Sequence, residues 1–238
     1  MDGVRSVTER LLLVSEDMQG EIELLLGDLG YGCVRLPKCD RLDTPVASHP
    51  DMIFYRLSDG RLLTDRGYYE KNARLLKSTG GRFVFSEKSL DKKYPADILF
   101  DAFCIGGTVY GRTESVAPEI SADCEGVARV SQGYAKCSTL ALDSGAVTAD
   151  MGIYKALTVN GVSALLIASG GIVLEGYGYG FIGGASFFDP ISRTAVFFGD
   201  PRGLESYPEI EGFLKEQGVG VLYPEGIPLT DLGGAVIV

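Results

Sequence analysis

Histidine is nearly absent from this chain: His49 is the single one among 238 residues. A structural zinc site, which draws on clustered cysteine and histidine, is not expected. The five cysteines, Cys33, Cys39, Cys104, Cys124 and Cys137, are odd in number and form no CxxC pair. A disulfide framework is therefore not expected in a chain of this size. No apolar run approaches the roughly 20 residues that cross a bilayer, so no membrane partner is expected. The amino-terminal stretch has an apolar core of only Leu11–Val14, too short for a signal peptide. Together these absences predict a cytoplasmic protein. Ser/Pro-rich linkers, blocks of like charge and low-complexity stretches are also missing, which points to one domain over residues 1–238.

Positive charge is scarce as well. Lys and Arg total 22 against 32 Asp and Glu, a formal net charge of −10. That balance opposes nucleic-acid binding, which relies on Lys and Arg neutralising phosphates. The local cluster Arg61, Arg66, Lys71 and Arg74 reads as a solvated helix face. No GxxxxGKS/T phosphate loop occurs. The glycines of "GYGYGFIGGAS", residues 176–186, lack dinucleotide-fingerprint spacing and open no helix. No cofactor is expected.

What the chain does have is a recurring unit: an apolar segment, a tight polar turn, a second apolar segment, an acidic residue and a helix-like stretch. Three clear copies begin at His49, Cys137 and Gly184, and their second strands end at Asp65, Asp150 and Asp200. A fourth, from Asp101, has a reduced helix. The carboxyl-terminal "GGAVIV" is a strand with nothing after it, and "ERLLLVSED" is a strand with nothing before it. Pairing of Gly234–Val238 with Glu9–Val14 completes a fifth unit. Recurrence at about 36–52 residues signals an array or propeller, and closure by the two ends leaves no exposed sheet edge. The expected fold is α/β, a five-bladed propeller of ββαβ-type repeats.

Local chemistry supports the unit. Asp65, Asp150 and Asp200 stand where strand passes to helix, suited to accept from the free N–H groups of a first turn. "LSDG" at 57–60, "LDSG" at 142–145 and "DPIS" at 189–192 read as hairpin turns. Gly30 is suited to end the helix that precedes it. "SALLIA" and "TAVFF" read as strands buried on both faces.

In a ring of like units, equivalent positions meet at the axis. The first strands are expected to open at His49, Asp101, Cys137, Gly184 and Gly234, which brings the only histidine toward a cysteine. On a strand, residues two apart share a face, so Asp51 is placed to orient His49. A thiol, an imidazole and a carboxylate together suit covalent catalysis, and His49, Cys137 and Asp51 are the candidate catalytic residues. Asp101, Glu175, Gly183, Gly184, Ser186 and Asp231 are candidate substrate-binding residues. Within the glycine run, Tyr177 and Tyr179 offer ring faces to a cation. Lys136 points to the face opposite Cys137.

The five hairpin–helix units, "HPD" opening one, "GFIGGAS" opening another and the terminal "DLGGAVIV" resemble the pentein superfamily. These are the guanidino-group modifying enzymes, with a five-bladed α/β propeller fold. More narrowly, the chain resembles an uncharacterised group of short bacterial proteins of that fold. The resemblance implies an axial pocket for a guanidinium compound, attacked by a cysteine in the last unit with a histidine in the unit before. This chain departs at both places: Ala235 and Val236 stand where the cysteine is expected, and Gly183–Ser186 where the histidine is expected. Asp51 and Asp231 remain as acidic holders of a cation.

Three functions follow as expectations. The first is a hydrolase or transferase acting on a small guanidino or amidino compound, with Cys137 as nucleophile, His49 as base and Asp51 as its orienter. The second is a catalytically silent binder of a small cationic ligand. The third is a protein-interaction module, like the superfamily's ribosome-binding member.

Overall fold

The computed structural model of the chain describes residues 10–238; the expected strand start at Glu9 lies outside them. Among the described residues, β1 (Arg10–Ser15) runs into α1 (Gly20–Asp28), and β2 (Tyr31–Leu36) returns parallel to β1. A single turn, α2 (Pro50–Ile53), then leads into the hairpin of β3 (Phe54–Arg56) and β4 (Leu62–Thr64). Two short helices, α3 (Arg66–Lys71) and α4 (Ala73–Ser78), carry the chain to β5 (Phe83–Phe85), which pairs parallel with β4.

This order of antiparallel hairpin, helix and parallel third strand repeats three times. The next unit is β6 (Phe103–Ile105), β7 (Thr108–Gly111), α5 (Pro118–Ala122) and β8 (Gly126–Arg129). It is followed by β9 (Thr139–Ala141), β10 (Gly145–Thr148), α6 (Met151–Val159) and β11 (Ser163–Leu166). The last is β12 (Ser186–Asp189), β13 (Thr194–Phe197), α7 (Tyr207–Glu216) and β14 (Gly220–Leu222). Finally β15 (Val236–Ile237) pairs antiparallel with β1, with Leu12 opposite Ile237 and Leu13 opposite Val236. The two ends of the described chain thus share one sheet, as the sequence predicts. The result is a mixed α/β fold of five three-stranded sheets.

The local signals act as expected. Asp65 accepts from the Tyr68 N–H at 2.9 Å, Asp150 from Ile153 at 2.8 Å and Asp200 from Arg202 at 3.1 Å. The hairpin turns close with Leu57 N–H to Arg61 O and Leu142 N–H to Gly145 O, both at 2.8 Å. Gly30 ends α1 in the left-handed region, at φ +82°. Of the basic cluster, Arg66, Lys71 and Arg74 are exposed on α3 and α4, with Lys71 paired to Asp40, whereas Arg61 lies in the β3–β4 turn and pairs with Asp59.

The sheets meet through apolar seams. Ile22 and Leu26 of α1 pack with Leu12, Phe187, Val196 and Phe198, joining the first sheet to the last. Tyr31 crosses the same seam, edge-on to Phe187, and its hydroxyl donates to Asp189 at 2.7 Å. Phe54, Leu63 and Val109 join the second and third sheets with Leu13 of the first. Phe103 and Tyr110 reach Ala146, Ile153 and Leu157 across the next seam. Leu140, Val147 and Phe197 then meet Ile210 and Leu214 of α7. Each side chain is small beside the whole, but full burial of one Leu, Ile or Phe stabilises by about 1.5–3 kcal/mol.

Two expectations are corrected. The middle strands β4 and β10 are buried along their length, whereas "SALLIA" becomes β11, an outer third strand that is exposed or half-buried throughout. One of its sides has no further strand, so its apolar run covers the sheet only in part. The first strands also do not open at His49, Asp101, Cys137, Gly184 or Gly234, but at Phe54, Phe103, Thr139, Ser186 and Val236. A turn precedes β3, β6 and β9: the helical turn α2, with Met52 N–H to His49 O, and turns closed by Asp101 N–H to Ile98 O and Ser138 N–H to Tyr134 O. Phe181 O accepts from Ala185 in the same way before β12. These turns carry the residues that converge inside.

Candidate functional site

Three of the turns bring their side chains into one buried cluster. Cys137 Sγ lies 2.9 Å from Asp101 Oδ2 and 3.0 Å from Asp51 Oδ2. Asp101 also accepts from the backbone N–H groups of Lys136 (2.6 Å) and Cys137 (3.3 Å), which fixes the turn that presents the thiol. His49 Nδ1 stands 3.7 Å from Asp231 Oδ1. Asp231 is held in turn by the N–H groups of Phe181 (2.8 Å) and Gly233 (3.1 Å). All five side chains are buried, at 0–4 % exposure.

The sequence reading expects these residues near one another but misassigns one pairing. His49 caps α2 and Asp51 lies inside its single turn, so the two do not share a strand face. Asp51 turns to the thiol, and Asp231, from far along the chain, faces the imidazole. Among the described residues no hydrogen bond joins His49 to Cys137; the groups within reach of the sulfur are carboxylates.

The cluster is electrostatically unbalanced. Three carboxyl groups, Asp51, Asp101 and Asp231, are buried without Lys or Arg within ion-pairing distance among the described residues, and His49 stands beside Asp231. Burial pushes the Asp101 carboxyl well above its ordinary range, and the nearby Asp51 adds to this. Burial raises Asp231 to about 6, against the lowering effect of His49. Burial and the same carboxylates hold the Cys137 thiol well above its usual value. Removing charge from water disfavours the charged form, and like charges add to the cost. Among the described residues His49 Nδ1 and Asp51 Oδ1 have no hydrogen-bond partner, an arrangement that costs free energy unless a ligand completes it.

A cavity of about 260 Å³ opens onto His49, Cys137 and Asp231. Its walls include Tyr134 and Phe181 together with Tyr177 and Tyr179 of the glycine run. Tyr134 and Phe181 stack at 6.4 Å between centroids, and the Tyr134 hydroxyl donates to Asp97 at 2.6 Å. Asp97, with Oδ1 unpartnered, is a lining residue that the sequence reading missed. "YPADILFD" gives no sign of it, because only the turn before β6 aims it inward. Aromatic faces around carboxylates favour a cation in two ways, through the ring quadrupole and through charge. A second cavity of about 320 Å³ is lined by Asp51, Lys136, Ser186 and Phe residues and shares no lining residue with the first. Lys136 accordingly faces away from Cys137's cavity, as expected.

The other substrate-binding expectations fall differently. A Cβ at Gly184 would lie 1.9 Å from Asp231 Oδ1, and one at Gly183 would lie 2.2 Å from Lys136 O. Their lack of side chains therefore admits the chain's own acid and backbone, not a ligand. Ser186 Oγ donates to Ile182 O at 2.6 Å. Glu175 is exposed and lines neither cavity. No group of three or more His, Cys, Asp and Glu suited to hold a metal ion occurs among the described residues, and no helix there is long and apolar enough to cross a membrane.

No curated protein matches the sequence. Among solved structures, a dimethylarginine dimethylaminohydrolase histidine-to-glycine variant, captured as an adduct with S-methyl-L-thiocitrulline, aligns with a TM-score of 0.55. It is 10% identical, over 91% of this chain and 92% of that one. A cysteine-to-serine variant of the Pseudomonas aeruginosa enzyme in complex with citrulline gives 0.53 at 11% identity, again over 91% and 92%. At such identity the likeness concerns the fold, and the chain has the fold of the pentein superfamily. A sequence-family model described as a family of unknown function, DUF6873, matches residues 13–236. The chain therefore belongs to DUF6873, a family of unknown function.

Proposed function

We propose that this chain is a guanidino- or amidino-group hydrolase or transferase, built as one domain of five blades around an axis and acting through Cys137. The observation that carries the reading is the cluster itself: three buried carboxyls with no lysine or arginine partner among the described residues, gathered round a thiol beside an aromatic cavity. A planar cation entering beside Asp231 would supply the missing positive charge. Neutralised carboxylates no longer hold the thiol up, so the substrate would favour its own attack. Cys137 Sγ would bond to the central carbon while its proton passes to Asp101 or Asp51, both already within 3.0 Å. An amine would then leave carrying a proton, for which His49 is the nearest donor on the cavity side, and water or a second amine would release the product from sulfur. In this reading a carboxylate takes the thiol proton, and His49 serves the leaving group.

The solved neighbours, a dimethylaminohydrolase with S-methyl-L-thiocitrulline and one with citrulline, support small guanidino-derived ligands as the first class to test. The experiment is to incubate the protein with a panel of alkylguanidines and amidines and assay both released amine and a covalent adduct. Product formation with an adduct on Cys137, lost by at least about 10³-fold in Cys137→Ser, is expected. Full turnover in Cys137→Ser would end the assignment. A silent cation binder is the second reading, favoured by the raised thiol and by Ala235 and Val236 in the last unit. It predicts stabilisation by the same compounds with neither product nor adduct.

A further inference from the structure

Away from the axis, Cys104 and Cys124 place their sulfurs 3.5 Å apart. Cys104 is the outward-facing residue of β6, and Cys124 lies half-buried in the connection from α5 to β8. The two are 20 residues apart in sequence, with no motif to announce them. Their meeting is made by the β6–β7 hairpin and the short α5, which folds the chain back over the strand. The place is a seam. Neighbouring Asp123 accepts from Ser58 N–H (2.7 Å) and Ser58 Oγ (2.9 Å), tying this connection to the hairpin turn of the preceding unit. Tyr55 of β3 lies beside both sulfurs, and Cys104 lines the second cavity.

We propose that Cys104 and Cys124 are a reversible oxidation site, closing to a disulfide when the protein meets a hydroperoxide. A disulfide needs sulfurs about 2.05 Å apart, so the pair must approach by roughly 1.5 Å. Both sulfurs are on short side chains, and Cys124 sits in a bend and not in a ladder, so side-chain rotation with a small loop shift suffices. Cys124 Sγ, as thiolate, attacks the peroxide O–O bond; a sulfenic acid forms on Cys124, and the departing hydroxide takes up the proton the thiol released and leaves as one water. Cys104 Sγ then attacks that sulfur. The S–S bond forms, and the sulfenic hydroxyl leaves with the Cys104 proton as a second water. Two sulfurs give up two electrons in all, and hydrogen peroxide takes them. Burial and the neighbouring sulfur push Cys104 up to about 12, consistent with Cys124 opening the sequence and Cys104 resolving it. The product bridges β6 to the α5–β8 connection on the rim of the second cavity, and a dithiol reverses it.

The test treats the reduced full chain with stepwise hydrogen peroxide, alkylates remaining thiols, and maps peptides by mass spectrometry. Near one equivalent of peroxide, a linked Cys104–Cys124 species lacking two hydrogens is expected. Free thiols fall from five to three and return with dithiothreitol. In Cys104→Ser, a dimedone adduct should accumulate on Cys124 instead. The inference is overturned if both cysteines remain fully alkylated while Cys33 oxidises. It is equally overturned if each passes to sulfinic acid with no linked species.

Discussion

Gly184 leaves no space for even a methyl group, since a Cβ there would overlap the Asp231 carboxylate at 1.9 Å. Asp231 cannot give way cheaply: its oxygens are held by Phe181 and Gly233 N–H groups, and it faces the imidazole of His49. Gly184→Ala is therefore expected to destabilise by about 1–3 kcal/mol, read as a lower denaturant midpoint at unchanged slope, and to displace Asp231 so that cation binding falls with it. Gly178→Ala, where nothing lies within 4 Å, serves as the control and should be close to neutral. At this scale the sequence made His49, Cys137 and the acids legible, because rare reactive residues stood at equivalent places in repeated units. Their partners were not legible. A strand puts residues two apart on one face, but a single helical turn does not, and nothing in "SHPD" states which of the two it will be.

Among the elements, the aspartates at strand-to-helix junctions do unequal work. Asp150 accepts from Ile153 N–H and, at 3.4 Å, from Gln132 at the surface side. Asp65 accepts from Tyr68 N–H, from Leu90 N–H at 3.2 Å and from Arg41, and is fully buried. Asp150→Ala should cost about 1 kcal/mol, the usual value of a lost N-cap. Asp65→Ala should cost more, about 2–4 kcal/mol, because buried donors are left unpaired as well. Chemical denaturation of the two variants side by side checks the order, and equal losses would contradict it. The caps and hairpin turns were readable because they depend on a few adjacent residues. The outer position of "SALLIA" was not, since an apolar run has the same appearance whether one or both faces are covered.

For the molecule as a whole, the repeat was the legible feature, and the pairing of β15 with β1 follows from each end lacking what the other supplies. Assembly of the five units carries acids from distant parts of the chain, Asp51, Asp101 and Asp231, into one buried place that no local spacing could announce. That place is the centre of the account, and its titration gives the sign of the test. Asp231 in the folded chain holds its proton up to about pH 6, whereas the unfolded chain releases it near the ordinary carboxylate value. In the empty protein, stability therefore falls as pH rises from about 4 to about 6, and above that range the site carries the charge that a cation needs. The measurement is a calorimetric titration with methylguanidinium at constant ionic strength, at about pH 5 and about pH 8, for the native chain and for Asp231→Asn. Saturable binding to one site, tighter by at least about tenfold at the higher pH and losing that pH dependence in Asp231→Asn, is the predicted result. Absence of saturable binding at either pH, or binding with the same pH dependence in Asp231→Asn, would contradict it.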